Sequence, residues 1–205
     1  SDAVIIDKLV TARIALLLKQ PFFGNLATRL KIVNADDWCP TAATDGRHFY
    51  YNTKFIEALT PKETEFLFGH EILHCVFDHF QLRAGKRDSQ IWNIAADYAV
   101  NQILVESRIG EMPKDTKGKD KGFQDDKYKD WPAEKIYDEI YKKAKKNGKK
   151  MLEELGQLLD EHIDWNKDST SEHGKGSKDS KGQRTAPKYS KEELKKIKDE
   201  IKEAM

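Results

Sequence analysis

Two histidines four residues apart, with a glutamate directly after the first, are the side chains in this chain best suited to chemistry. They are His70, Glu71 and His74, in the run His70-Glu71-Ile72-Leu73-His74. On a helix, residues i and i+4 lie one above the other on one face. Imidazoles so placed can reach one tetrahedral zinc ion, and the intervening carboxylate can hold a water against that ion. Glu71 falls beside the seam of ligands rather than on it, which suits a base. Zinc would lower the water's pKa towards about 7 and polarise a substrate carbonyl. Glu71 would take the proton and return it to the leaving amine. Phe68, Ile72 and Leu73 beside it argue for a buried carboxylate rather than a solvated helix charge.

Two histidines alone hold zinc weakly. A catalytic site needs a third protein ligand and an open fourth position. Downstream, Asn93, Asp97 and Asn101 are spaced i, i+4 and i+8. Asp97 is the only carboxylate of the three, and an anionic oxygen is the better donor to a dication. Its small apolar neighbours Ala95, Ala96, Ala99 and Val100 place it on a buried face, where a carboxylate needs a partner. Asn93 is the alternative third ligand, or a group supporting one. Asp78, one turn after His74, could orient that imidazole. His79 lies across the helix from His70 and is not counted as a ligand. Cys75 points about 100° away from His74 and reads as a small buried thiol. His162, in the polar-aromatic stretch 160–165, is a weaker candidate, able to hydrogen-bond an oxyanion if it faces the cleft. A surface or structural role for it is the plainer reading. His48 reads as a strand residue, and His173 falls in a linker.

These side chains need two packed helices to hold them. Pro61 to Arg83 has a helical pattern, with Thr60 as N-cap, Pro61 at the first position and Glu63 completing a capping box. Asp88 or Ser89 caps a second long helix, Gln90 to about Arg108, with Gly110 just beyond its end. Upstream, residues 3–19 read as a helix stopped before Pro21, and Phe22 to Asn25 as a turn. Arg29 to Val33 alternates like a strand. Thr41 to Thr44 and Arg47 to Tyr51 flank Asp45-Gly46, a hairpin signal. The expected fold is α+β, mostly helical, with a small antiparallel sheet ahead of the histidine helix. The strand Arg47 to Tyr51 could pair with an extended substrate; equally, it could simply close the core.

Beyond Pro113 the composition turns polar. Residues 114–130 read as a charged surface loop, and Trp131-Pro132 opens a helix to about Lys146. The lysines of 142–150 read as a solvated face in preference to a nucleic-acid patch. Met151 to Leu159 reads as a short helix. Residues 166–188 are rich in Gly, Ser, Lys and Asp, as linkers are. Residues 190–205 read as a charged helix with no cap and little to bury. The expected organisation is one domain over 1–165, a flexible linker over 166–189, and over 190–205 the start of a helix leading to a missing C-terminal domain.

Of the 205 residues 38% are hydrophobic and 35% charged, and the apolar ones crowd into the first half. A net charge of +1 does not call for a polyanionic partner. Two cysteines do not make a disulfide scaffold. No apolar run reaches membrane-spanning length, and the start has no signal-peptide pattern. The expected compartment is the cytoplasm, with no membrane partner.

The motifs His70-Glu71-x-x-His74 and Trp92-Asn93-Ile94-Ala95-Ala96-Asp97-Tyr98-Ala99-Val100-Asn101 together carry a resemblance. So do Thr44-Asp45-Gly46 with Tyr51-Asn52, and Asp160-x-His162-x-x-Trp165. Over roughly residues 10–165 the chain resembles the metallopeptidase-type domain that precedes a von Willebrand factor A-like domain in bacterial and phage proteins. The resemblance implies a zincin-like fold, and a linker leading to an A-like domain that this chain lacks. In the gluzincins the third ligand is a Glu in an N-E-x-x-x-D pattern on the following helix. Laid on it, Trp92-Asn93-x-x-x-Asp97 puts Asn93 at the ligand position, which leaves Asp97 and Asn93 both open.

The expected function is zinc-dependent hydrolysis of peptide bonds in a protein or peptide substrate. The main rival is a zinc-stabilised module whose work is to bind a partner protein. A hydrolase of non-peptide amides and a nucleic-acid-associated protease are further rivals.

Overall fold

The computed structural model describes residues 2–77, 83–147 and 189–204. In chain order its elements are α1 (Asp2–Lys19), α2 (Pro21–Arg29), β1 (Lys31–Asn34), β2 (Ala42–Thr44), β3 (His48–Tyr51), α3 (Thr53–Ala58) and α4 (Pro61–Val76). Then come α5 (Ser89–Glu106), a 3-10 turn (Asp126–Tyr128), α6 (Ala133–Asn147) and α7 (Lys191–Ala204). Helices predominate around one three-stranded sheet, so the class is α+β.

The sheet differs from the antiparallel one expected. Its order is β1-β3-β2, with β2 antiparallel to β3 but β1 parallel to it. The hairpin forms where its sequence implies, but its last pair is Thr44 with Phe49, so the connection is longer than the two-residue Asp45-Gly46 turn expected. The Asp45 carboxylate holds it by accepting from the Arg47 and His48 N–H groups, and Gly46 takes φ +86°, open to glycine. β1 then joins the other side of β3. The aromatic strand His48-Phe49-Tyr50-Tyr51 thereby becomes central, with both faces covered. Phe49 and Tyr51 face the main core, while Tyr50 packs with Ala35, Cys39 and Ala43 on the far side. Both edges of β3 are taken, so this strand has none left for a substrate.

Residues 22–25 also depart from expectation. They lie inside α2, which Pro21 opens at its first position. Gly24 is there for close packing: a Cβ on it would stand 2.0 Å from the Leu17 Cα of α1. In α1, Ile5, Leu9, Ala12 and Leu16 form the buried stripe at helical spacing.

The centre of the molecule is α4. Every residue from Thr64 to Cys75 is buried, as expected of a helix covered on all sides. Phe68 stacks on Phe49 of the sheet with ring centroids 4.0 Å apart. The buried Glu65 is paired with Lys19 of α1 at 2.8 Å. The C-terminal half of α5 completes this core, while its N-terminal half packs with α6 in a second cluster around Trp92, Ile94 and Ile136. No helix among the described residues is long and apolar enough to cross a membrane.

The helix at 190–205, expected to bury little, has a cap and a place in the core. Ser190 Oγ accepts from the Glu193 N–H at 3.2 Å, and a Glu193 carboxylate oxygen accepts from the Ser190 N–H at 2.9 Å, a full capping box. Ile197, Ile201 and Ala204 are buried in the main core. Three apolar residues at i, i+4 and i+7 are a sufficient stripe for a helix of this length. Gly46 makes the seat: a Cβ there would meet Ile197 Cγ2 at 2.6 Å. Arg47 grips Glu200 through two bonds of 2.8 and 2.7 Å.

Beneath that seat Asp45 is fully buried at 0% exposure. Its Oδ1 accepts from the backbone N–H of Arg47 and His48, at 2.8 and 2.6 Å. Its Oδ2 faces His48 Nδ1 at 2.9 Å and accepts from the hydroxyls of Tyr50, at 2.8 Å, and Tyr189. Burial pushes the Asp45 carboxyl up, but the His48 side chain, the Tyr189 hydroxyl and the Arg47 amide outweigh it and hold the group below its ordinary value. A depressed folded pKa means stability that is present above the unfolded value, near 4, and lost as pH falls through the folded one. Asp45→Asn is therefore expected to cost about 3 kcal/mol at pH 7 and progressively less below pH 4. Urea unfolding of both proteins from pH 3 to 7 measures this, and a difference independent of pH would contradict it.

Candidate metal centre

The start of α4 has the N-cap and the proline its sequence directs, without the reciprocal bond from the Thr60 N–H to the Glu63 carboxylate that would complete the expected capping box. Thr60 Oγ1 accepts from the Glu63 N–H at 3.1 Å, and Pro61 occupies the first helical position. From this start, His70 and His74 fall on one face with Nε2 atoms 3.0 Å apart. Asp88 caps α5 by accepting from the Ile91 N–H at 2.9 Å, and α5 packs on α4. This brings Asp97 Oδ1 to 2.9 Å from His74 Nε2 and 3.4 Å from His70 Nε2. All three side chains are buried.

A fourth residue fixes the orientation of the first. Asn101, one turn after Asp97, sets its Oδ1 at 2.8 Å from His70 Nδ1, and its Nδ2 donates to the Phe123 carbonyl at 3.0 Å. Because Nδ2 faces a carbonyl, the amide oxygen must face the ring. His70 then carries its proton on Nδ1, and the Nε2 lone pair is directed at the other two donors. Asn101 lay on the Asn93, Asp97, Asn101 face read from the sequence, but its pairing with His70 had no sequence signal. Asn101→Ala is expected to lower metal affinity by about 10- to 100-fold with the fold retained. Competition with a chelating dye measures it, and unchanged affinity would remove Asn101 from the centre.

The other sequence candidates fall as follows. Glu71, at 1% exposure, is buried on α4 directly after His70. Asn93 is half-buried and, among the described residues, makes no hydrogen bond to the two histidines or Asp97. Cys75 is buried with its sulfur 3.9 Å from Thr44 Oγ1, outside the group of potential ligands. His48 belongs to the Asp45 cluster. Asp78, His79, His162 and His173 lie outside the described residues, as do the segments 151–159 and 166–188.

The residues present fit a divalent metal. Three donor atoms within 4.8 Å of one another converge from His70, His74 and Asp97. Spacings near 3 Å let one ion stand about 2 Å from each, the ordinary zinc–nitrogen and zinc–oxygen distance. A buried carboxylate between two imidazoles is an anionic nest, and a dication offsets the burial of that charge. Two imidazoles and one carboxylate suit zinc, and also iron(II).

The charged stretch 114–130 lies largely at the surface, as expected, and is also locally ordered. Its first part is a tight reversal: Lys121 N–H donates to Pro113 O at 2.8 Å, Lys114 bridges Asp120, and Asp115 accepts from the N–H of Lys117 and Lys119. Gly110 seats it against α4, at φ +60° and so close that a Cβ would stand 2.4 Å from Lys62 O. The reversal ends at Phe123, whose carbonyl holds Asn101. A cavity of about 60 Å³ lies between it and the centre, touching His70, Asp97 and Asn101.

A family model described as "Putative metallopeptidase domain" matches residues 6–205, including α7. An uncharacterized protein of Thermotoga maritima is 33% identical over 66 residues, which is 32% of this chain. The matched stretch spans about one sixth (17%) of that protein's own length. No solved structure matches the chain.

Proposed function

The chain belongs to the family described as "Putative metallopeptidase domain", and on that premise we propose that it is a zinc-dependent peptidase with a zincin-like arrangement of α4 and α5. The observation that carries the reading is the convergence of His70 Nε2, His74 Nε2 and Asp97 Oδ1, with Glu71 buried on the same helix. When bound, zinc supplies Lewis acidity that polarises a carbonyl and acidifies a water.

The rest is the work of this chain's residues. His70, His74 and Asp97 would hold the ion, and Asn101 fixes the His70 ring with Nε2 turned towards the other two donors. Glu71 accepts the proton of the attacking water and delivers it to the leaving amine nitrogen. Burial of the centre excludes competing bulk water and strengthens each electrostatic contact. The test is cleavage of a peptide mixture by the zinc-loaded protein, followed by mass spectrometry and compared with Glu71→Gln. A cytoplasmic location and an association with a von Willebrand factor A-like domain belong to the same proposal. The first is supported by both cysteines being thiols, the second by the motif resemblance.

A further inference from the structure

The geometry points to the cavity beside the three donors as the subsite for one apolar side chain of the substrate, of about four to six non-hydrogen atoms, with the reversal around Met112 to Gly122 as its selectivity element. This rests on the peptidase reading and adds which peptides are chosen.

One side of the cavity is the centre itself. The opposing walls are Phe55, Phe66, Leu67, Met112 and Pro113. Phe66 and Leu67 precede His70 by four and three residues, so α4 necessarily presents them next to that imidazole. Met112 arrives because Gly110 lets the chain lie against the first turns of α4, where Glu111 N–H donates to Lys62 O at 3.1 Å. An apolar chamber opening on a polar centre has the build of a binding site: hydrophobic walls, with a few polar groups on one side.

Its dimensions limit the occupant. Each water needs on the order of 10–15 Å³ of such space, so 60 Å³ corresponds to about four to six non-hydrogen atoms. Leucine, isoleucine and methionine fit; tryptophan does not. Among the described wall residues outside the centre Lys121 alone is charged, and it is exposed. An aspartate side chain entering the apolar part of the chamber would therefore lose water with no buried side-chain cation to receive it, and with the metal already taken by the bound carbonyl or chelating group. Gly122 keeps the space open, since a Cβ there would stand 3.0 Å from Asn101 Nδ2 and 3.1 Å from Met112 Sδ.

The test uses aminoacyl hydroxamates, which chelate a metal while presenting a single side chain, bound to the zinc-loaded protein and followed by calorimetry. The leucyl probe is expected to bind at least about tenfold tighter than the glycyl, aspartyl or tryptophanyl probe. Gly122→Val is expected to abolish the leucyl-to-glycyl ratio. Met112→Ala is expected to bring in the phenylalanyl probe, a gain that misfolding would not produce. Equal affinity for all four probes, or an unchanged ratio in both variants, overturns the subsite. Cleavage of a peptide library without preference for apolar residues beside the cut bond overturns it too, and leaves the peptidase reading standing. Selective binding of the leucyl probe with no peptide cleaved has the opposite meaning: the subsite holds and the peptidase reading fails.

Discussion

Replacing Glu71 with glutamine is expected to abolish peptide cleavage while leaving the fold and the metal in place. Glutamine keeps the shape of the side chain but has no basic oxygen, so the attacking water keeps its proton and the leaving amine receives none. Loss of a positioned general base costs about 10²- to 10⁴-fold; Glu71 is asked to act twice, which puts the expected loss at the upper end. Stability should move the other way. Glu71 is buried at 1% exposure, and a neutral amide is less costly to bury than a carboxylate. A glutamine variant as stable as the wild type or more so, with full zinc content and no activity, is the signature of a functional group held at the expense of stability. Equal cleavage by both proteins would sink the mechanism. If neither cleaves while both bind zinc, the reading as a metal-stabilised interaction module takes its place.

What the sequence made legible follows from how local each signal is. The helix of His70 and His74 could be read because its cap, its proline and its apolar pattern all lie within α4. The convergence of Asp97 on the histidines could be anticipated because one spacing on one helix decides which face carries the carboxylate. The parallel seating of β1 on β3 is a choice between two edges of a hairpin, and nothing in residues 29–34 encodes it. Asn101 and Phe123 meet across 22 residues, through a backbone carbonyl that any residue type would supply. The packing of α7 was hidden by composition. Among its lysines and glutamates, Ile197 and Ile201 look too few to matter until Gly46 is seen as their seat. In the same way Asp45, legible only as a turn residue, is the buried carboxylate that receives Tyr189.

Asp97→Ala is the variant expected to empty the centre, and Asn93→Ala the one expected to leave it loaded. The two residues were alternatives because a gluzincin-like register would put the ligand one turn earlier on α5, at Asn93. Geometry favours the later position: Asp97 Oδ1 lies within 3.4 Å of both imidazole nitrogens, and Asn93 bonds to neither. Charge favours it as well, because a carboxylate offsets a buried dication and an amide does not. Zinc held in full four-ligand sites is worth on the order of 10–16 kcal/mol, so losing one ligand should weaken binding by about a hundred- to a thousandfold. The readout needs no substrate. Metal content after dialysis should be near one ion per wild-type or Asn93→Ala chain and near zero for Asp97→Ala. Thermal unfolding supplies an independent measure, because a ligand that binds only the folded state raises stability by RT ln(1 + [L]/Kd). Added zinc should therefore raise the melting temperature of the wild type and of Asn93→Ala, and that of Asp97→Ala only at about a hundred- to a thousandfold higher zinc concentration. Asp97→Asn separates charge from shape: retained volume with weakened binding identifies the anionic oxygen as the property that matters. Full zinc occupancy without Asp97, or its loss without Asn93, would move the third ligand one turn back along α5 and the peptidase alignment with it.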